Sequence, residues 1–302
     1  MIIVIVGPTG VGKTALSIEL AKALNTEIIS GDSIQVYKGM NIGSAKVTEA
    51  EASGVKHHMV DILEPTEEFS VALYQKYVRS AIDDLYQRGK TPIIVGGTGF
   101  YIKSALHNFD FSEAHRDHDY DAKFEDTRNE ALHQQLIQLD PDAAEMIHPN
   151  NRKRVIQALF RAEQGVKRSE QTKQHQPLYD YRIIGLTMPK EQLYERINQR
   201  VEMMFHQGLV YEVKALYDQK VDSQAIQAIG YKELYQYFNQ EVSLETAKEL
   251  IKRNSRRYAK RQYTYFNHQF NIRWFNVNPD DFFQTISDVK DYLFKDIIEK
   301  KT

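Results

Sequence analysis

The chain contains no cysteine. That excludes disulfides, thiolate nucleophiles and Cys-type zinc sites together. Long apolar runs are also missing. The longest is the hexapeptide Met1-Ile2-Ile3-Val4-Ile5-Val6, far short of the ~20 residues that a membrane helix needs. The same run is too short for a secretory signal core and has no basic segment before it. Neither charge is in excess, since 39 Lys and Arg stand against 41 Asp and Glu, so the total advertises no polyanionic partner. Internal repeats and low-complexity tracts are absent. What remains is the expectation of a soluble, cytoplasmic protein with no membrane partner.

At 302 residues the chain is about twice the ~150 usual for one domain, so two domains or one domain with a large insertion is expected. With 42% apolar residues it has the composition of an ordinary globular chain and can bury a core. Charge is informative locally. Basic residues concentrate at Arg152-Lys153-Arg154 and again over 252–261, and a nucleic-acid footprint depends on such patches rather than on the total.

Ile2-Ile3-Val4-Ile5-Val6 is the continuous β-branched run of a buried parallel strand. It leads into Gly7-Pro8-Thr9-Gly10-Val11-Gly12-Lys13-Thr14, a complete G-x-x-x-x-G-K-[ST] phosphate loop of the kind found in nucleotide-binding, ATP-binding proteins, which does not say which phosphate compound sits there. A helix over 15–24 follows, with Leu16, Leu20 and Leu24 at helical spacing. Strand, glycine loop and helix in that order turn a pattern match into a site; an accidental glycine turn is the bland alternative. The glycines let backbone N–H groups close around an anion, and the helix N-terminus adds its positive end. Lys13 supplies a point charge, and the Thr14 hydroxyl can hold Mg²⁺.

Glu27-Ile28-Ile29-Ser30 reads as a second strand, with Asp32 just past its end. A carboxylate there lies in the crevice where open α/β sheets bind ligands. It can be a metal-side group, an acceptor-binding group, a general base or simply a helix N-cap. Ser70 is an N-cap, flanked by a Phe69–Tyr74 staple, for a helix running to Arg88 and stopped at Gly89. Thr91-Pro92-Ile93-Ile94-Val95 is a third strand, ending in Gly96-Gly97-Thr98-Gly99-Phe100-Tyr101. That second glycine loop is either part of the crevice or a tight strand-to-helix turn. The alternation predicts an α/β fold, a P-loop NTPase-like doubly wound parallel sheet.

From Phe111 the character changes. His115-Arg116-Asp117-His118-Asp119-Tyr120-Asp121 reads as a solvated loop rather than a metal cluster, and His57-His58 as structural. Asp140-Pro141 is an N-cap with a first-turn proline. A helix over 152–164, closed by Gly165, buries Val155, Ile156, Leu159 and Phe160 and leaves Arg152, Lys153, Arg154, Gln157 and Arg161 outward. Residues 111–176 therefore read as a small inserted helical domain for an acidic partner, and 1–110 with 177–302 as the core. A polar link over 169–176 returns the chain to a strand over 181–186 and a helix with Leu193, Ile197, Val201 and Met204 inward. By spacing alone, Arg196 and Arg200 beside that face are surface ion-pair partners. The basic, aromatic-interleaved helix over 252–262 reads equally as a phosphate-neutralising surface or as one with Tyr258, Tyr265 and Phe266 in the core.

Together these motifs resemble the bacterial tRNA dimethylallyltransferases, the adenosine isopentenyltransferases of tRNA, over nearly the whole chain. The resemblance rests on the phosphate loop and on Asp32-Ser33-Ile34-Gln35-Val36-Tyr37-Lys38-Gly39-Met40-Asn41-Ile42-Gly43-Ser44-Ala45-Lys46, the more specific block. It extends to the second glycine loop, His148-Pro149-Asn150, Arg196-Ile197-Asn198-Gln199-Arg200, Ala228-Ile229-Gly230-Tyr231-Lys232-Glu233 and Ala259-Lys260-Arg261-Gln262. It implies transfer of the dimethylallyl group from dimethylallyl diphosphate to N6 of the adenosine immediately 3′ of the anticodon, with Mg²⁺, in a monomer that grips the anticodon stem-loop through the insertion. It implies Asp32 as general base, Arg200 as a diphosphate arginine, and Lys13 and Thr14 on the diphosphate and its Mg²⁺. Gly7, Pro8, Thr9, Gly10, Val11 and Gly12 complete the cradle. Asp32, Ser33, Ile34, Gln35, Thr98 and the run Lys153, Arg154, Val155, Ile156, Gln157 match tRNA-contacting segments. Gln227 and Lys232 depart from the pattern, standing where members with the best-known tRNA contacts carry arginine, and neither has arginine's planar fork. Three rival readings remain: a small-molecule P-loop kinase, isopentenyl transfer to free AMP, ADP or ATP, and a nucleotide-dependent RNA-binding module without catalysis.

Overall fold

The computed structural model describes residues 1–111, 118–165 and 176–299. Its β1 (Ile2–Val6) is buried along its whole length. It lies inside a six-stranded sheet with β2 (Ile28–Ser30), β3 (His57–His58), β4 (Ile93–Gly96), β5 (Tyr181–Thr187) and β6 (Arg273–Asn276), in the order β3-β2-β4-β1-β5-β6. Every pairing is parallel. The period-2 geometry of β1 divides its side chains between two cores. Ile2, Val4 and Val6 join one cluster, and Ile3 and Ile5 the other, so both faces are covered and a continuous apolar run is required. The register aligns Val6 with Gly96 and with Gly185, and Ser30 with Val95. The loops after β1, β2 and β4 therefore leave from one edge.

Helix α1 (Lys13–Ala23) starts from Gly12, whose φ of 104° is a left-handed conformation suited to glycine. A single-turn helix, α2 (Glu49–Ala52), and a long one, α3 (Val71–Gln87), follow β2 and β3. The Ser70 side chain accepts the Leu73 N–H, and Phe69 and Tyr74 meet edge-on with ring centroids 6.2 Å apart, the expected cap and staple. After β4 comes α4 (Gly99–Leu106). Edge strands β3 and β6 were not expected. β3 has only two residues, and β6 is exposed at both ends, so neither carries a buried pattern.

Residues 107–178 form a separate compact unit, and 1–106 with 179–302 form the other, a division a few residues wider than the expected 111–176. The unit's own ends explain this, because His107 and Pro177 form an antiparallel bridge and the Asn108 N–H donates to Gln176 O (3.0 Å). Its helices are α5 (His118–Ala122), α6 (Asn129–Leu139), α7 (Pro141–Met146) and α8 (Arg152–Glu163). They enclose a core of Leu132, Leu136, Ala143, Val155, Ile156 and Leu159. Asp140 caps α7 by accepting the Ala143 N–H, with Pro141 in its first turn. Arg152 is not an outward surface charge. Its guanidinium donates to Thr127 O (2.6 Å), Asn129 Oδ1 (3.0 Å) and Phe124 O, closing the turn before α6. Residues 115–117 of the His/Asp run and 169–175 of the polar link lie outside the described residues. Among the described residues no group of three His, Asp or Glu is placed to hold a metal ion. No helix there is long and apolar enough to cross a membrane.

The core unit continues with α9 (Lys190–His206), α10 (Leu209–Asp218), α11 (Tyr231–Phe238), α12 (Leu244–Gln269) and α13 (Phe282–Glu299).

Candidate active site

A cavity of about 1290 Å³ opens at the edge of the core sheet where β1, β2 and β4 end. Its wall includes Thr9, Gly10, Gly12, Lys13 and Thr14 from the phosphate loop and Asp32 to Gln35 from the loop after β2. Gly96 and Gly97 of the second glycine loop, Arg196 and Arg200 of α9, and Tyr258 and Gln262 of α12 complete it.

Lys13 donates to the carbonyls of Gly7 (2.9 Å) and Pro8 (2.8 Å). Burial, reinforced by the Arg200 charge, lowers its pKa to about 7, against an upward pull from Asp32. Gly7 has no room for a side chain, because a Cβ there would stand 2.5 Å from Leu186 O. Val11 is buried and shapes the loop from below, while Thr14 is exposed on the cavity wall. The two α9 arginines are not surface ion-pair partners. Arg200 Nη1 donates to Thr9 Oγ1 (3.2 Å) and Arg196 Nε to Gly10 O (3.1 Å), one helical turn apart on the side facing the loop.

Asp32 is not a helix N-cap. Its Oδ1 accepts the Ile34 N–H two residues on (2.8 Å), a local turn that aims the carboxylate at the cavity. Burial raises its pKa, and the N–H groups of Ile34 and Gln35 and the charges of Lys13 and Arg200 pull it back. The second glycine loop is more than a tight turn. The Thr98 N–H donates to Gly31 O (3.1 Å), and the Ser33 N–H donates to Thr98 Oγ1 (3.3 Å). Gly96 lies so close that a Cβ there would stand 2.1 Å from Gly31 O. Thr98 thus holds the Asp32 loop from behind.

The sequence motif includes Gln262 but did not reveal its role. Gln262 is buried, accepts the Thr9 N–H (3.1 Å) and donates to Gly97 O (3.1 Å), so it joins the two glycine loops. Tyr258 bonds to Thr98 and Gln262, and its burial near Asp32 pushes its pKa up to about 12. Of the balanced readings of this helix, the inward one holds for Phe266, which is buried, and for Tyr258 and Tyr265, which are half-buried, while Arg253, Arg257, Lys260 and Arg261 remain exposed. Glu212 was also missed, since no local pattern marks it, and Tyr231 stood in a quoted motif without a role. Gln227 and Lys232 line the same cavity. Lys153 and Arg154 are exposed and Gln157 is half-buried on α8 of the helical unit. Val155 and Ile156 are buried in that unit's core and offer no side-chain surface to an RNA.

The site is therefore an anion cradle with two cations and one partly desolvated carboxylate beside it. The IPP transferase family model matches residues 35–269. A tRNA dimethylallyltransferase of Anoxybacillus flavithermus is 50% identical over 97% of this chain and 96% of its own. One from Bacillus pumilus is 52% identical over 99% and 96%. Among solved structures, the full-length tRNA isopentenylpyrophosphate transferase from Bacillus halodurans is 44% identical with a TM-score of 0.76, covering 99% of this chain and 97% of that one. A eukaryotic dimethylallyltransferase acting on tRNA is 30% identical with a TM-score of 0.86, over 99% of this chain and 79% of that one. Matched nearly end to end in sequence and in fold, the chain belongs to the IPP transferase family, among the tRNA dimethylallyltransferases.

Proposed function

We propose that the chain transfers the dimethylallyl group of dimethylallyl diphosphate to N6 of the adenosine immediately 3′ of the anticodon in tRNA, releasing diphosphate. One observation carries the reading: a half-buried carboxylate, Asp32, faces Lys13 and Arg200 at the mouth of a phosphate loop. An exocyclic adenine amine is a poor nucleophile, because its lone pair is delocalised into the ring. As the N6–C1 bond forms and the C1–O bond breaks, Asp32 accepts the N6 proton and the electron pair leaves with diphosphate. Loop N–H groups, Lys13 and Arg200 stabilise the departing charge, and Gly7, Pro8, Gly10, Val11 and Gly12 shape the cradle. Reaching N6 requires the base to leave its stack; Ser33, Ile34 and Gln35 on the cavity wall would meet it beside Asp32, with Thr98 bracing their loop through the Ser33 N–H.

Thr14 would hold Mg²⁺, being an exposed neutral oxygen donor at a helix N-terminus beside the diphosphate cradle. When bound, Mg²⁺ neutralises diphosphate charge. Lys153, Arg154 and Gln157 give the helical unit a polar, basic face for the anticodon stem-loop. The working unit in this reading is a monomer, and a tRNA substrate supports a cytoplasmic location.

The test is label transfer from dimethylallyl diphosphate with Mg²⁺. The acceptors are unmodified tRNA with adenosine after the anticodon, the same tRNA with guanosine there, and free AMP or ATP. Label confined to the adenosine-bearing tRNA is the expected result. Label on the free nucleotide, or none anywhere, overturns the reading.

A further inference from the structure

Glu212 projects from α10, and its carboxylate accepts the N–H groups of three successive residues. Oε2 takes Asn41 (2.8 Å) and Ile42 (2.7 Å), and Oε1 takes Gly43 (3.0 Å) and the Tyr231 hydroxyl (2.7 Å). Successive N–H groups converging on one point form an anion-binding concavity, and here the chain supplies the anion itself. Only an ionised carboxylate offers two oxygens with four acceptor sites and no donor. The Tyr231 ring covers the segment so closely that a Cβ on Gly43 would stand 2.5 Å from it.

The segment held in this way, 41–46, forms part of the cavity wall. The carbonyls of Ser44 and Ala45 accept the Gln35 side-chain amide (3.4 Å each). Gln35 Oε1 accepts the Ser30 hydroxyl (2.9 Å), and Ser30 Oγ accepts the Asp32 N–H (3.3 Å). No link is strong, but the series is unbroken from α10 to Asp32. Lys46 anchors the far end separately by donating to Tyr37 O (2.7 Å), Asn41 Oδ1 (2.8 Å) and Asp61 Oδ1 (2.6 Å), so the segment stays tethered without Glu212.

We infer that Glu212 is a positioning residue for the transfer: by holding 41–45 it fixes Gln35, and through Gln35 the Asp32 carboxylate that receives the acceptor's proton. This rests on the function proposed above. It also sets a direction. Asp32 owes part of its ionised character to the N–H groups of Ile34 and Gln35. The other groups facing it are Lys13, Arg200 of α9, Tyr74 of α3 and Tyr258 of α12, and none of these is held by Glu212. Loosening Gln35 therefore weakens support for the ionised form alone, and the acid limb of the rate moves to higher pH.

The experiment follows transfer to tRNA across pH for the wild type, Glu212→Gln, Tyr231→Phe, Gln35→Met and the Glu212→Gln/Gln35→Met double variant, with thermal midpoints alongside. Glu212→Gln keeps one acceptor and turns an NH₂ toward groups that also donate. It is expected to lower kcat by ~10- to 100-fold and to leave KM for dimethylallyl diphosphate within about threefold. Its acid limb should rise by up to about one pH unit. Tyr231→Phe leaves the three N–H bonds in place and should lose no more than about threefold. The double variant should be no worse than its weaker parent. A Glu212→Gln protein that melts earlier yet keeps the wild-type kcat and pH profile overturns the inference, as do additive losses in the double variant. Should Glu212→Gln not fold, Gln35→Met must show the shifted acid limb, and an unshifted limb is equally fatal. A wild type inert on tRNA fails earlier, at the function itself.

Discussion

Lys13 rests on two carbonyls of its own loop with a pKa lowered to about 7. At about pH 8 it is therefore mostly neutral until an anion arrives, and diphosphate charge then favours the protonated form. Binding must take up a proton. Dimethylallyl diphosphate is fully ionised above its last pKa of about 6, so uptake at pH 8 comes from the enzyme. Calorimetry in two buffers of different ionisation enthalpy should read most of a proton near pH 8, with affinity falling as pH rises further; uptake that is nil there contradicts the account. Asp32→Ala removes the proton acceptor but little tRNA surface. Turnover should fall by ~10²- to 10⁴-fold with tRNA affinity nearly retained, and equal losses in both would make Asp32 a binding group. Tyr74 illustrates the opposite case. Its hydroxyl is buried near Asp32 and finds no hydrogen-bond partner among the described residues, so Tyr74→Phe relieves an unsatisfied donor. The variant should unfold at higher denaturant, by about 1 kcal/mol.

Strand β2 has a site at one end and a scaffold at the other. Glu27, at the end away from the cavity, is buried and holds Arg88, Lys90 (2.8 Å) and His58 (2.7 Å), with Lys56 at 3.9 Å. The Arg88 guanidinium, first, and Lys90 and His58 hold its carboxyl well below the usual carboxylate range. A depressed folded pKa contributes stability that is present above the unfolded value of 4.5 and lost as pH falls below it. Glu27→Gln should cost about 2 kcal/mol at neutral pH, less than for a fully buried pair because the cations keep some water. Denaturation at pH 7 and at pH 4 should show that difference shrinking, and a constant gap would argue against the ion cluster. At this scale much was legible beforehand. β1 announced itself because a strand buried on both faces must be apolar throughout, and α3 because a cap and staple are local chemistry. β3 and β6 were not, being short edge strands held by neighbours rather than by pattern. Spacing also hid the roles of Arg196, Arg200, Gln262 and Glu212, of which the family resemblance supplied Arg200 alone, for a related reason. Each meets its partner from more than 160 positions away, and spacing along one helix does not encode what that helix is packed against.

The molecule as a whole is one α/β unit carrying a helical unit that leaves and returns through the His107–Pro177 bridge. Bridged strands lie about 4.8 Å apart, so replacing 108–177 by a short Gly/Ser linker spans the gap without strain. The excised core should fold and bind dimethylallyl diphosphate, while tRNA affinity falls by ~10-fold or more with a shallower salt dependence. Undiminished tRNA binding would remove the assignment of this unit to RNA. The sheet order also dictates a schedule. β1 and its loop are made before the parts that support them: β5, at 181–187, completes β1's second edge, Gln262 holds the Thr9 N–H, and the Phe282 ring closes over Gly12. At the ribosome's ~5–20 residues per second, tens of seconds separate the synthesis of Gly12 from that of Phe282. Throughout that interval the nascent chain displays the whole phosphate motif without the supports that shape it, so a prematurely terminated chain would not sequester dimethylallyl diphosphate.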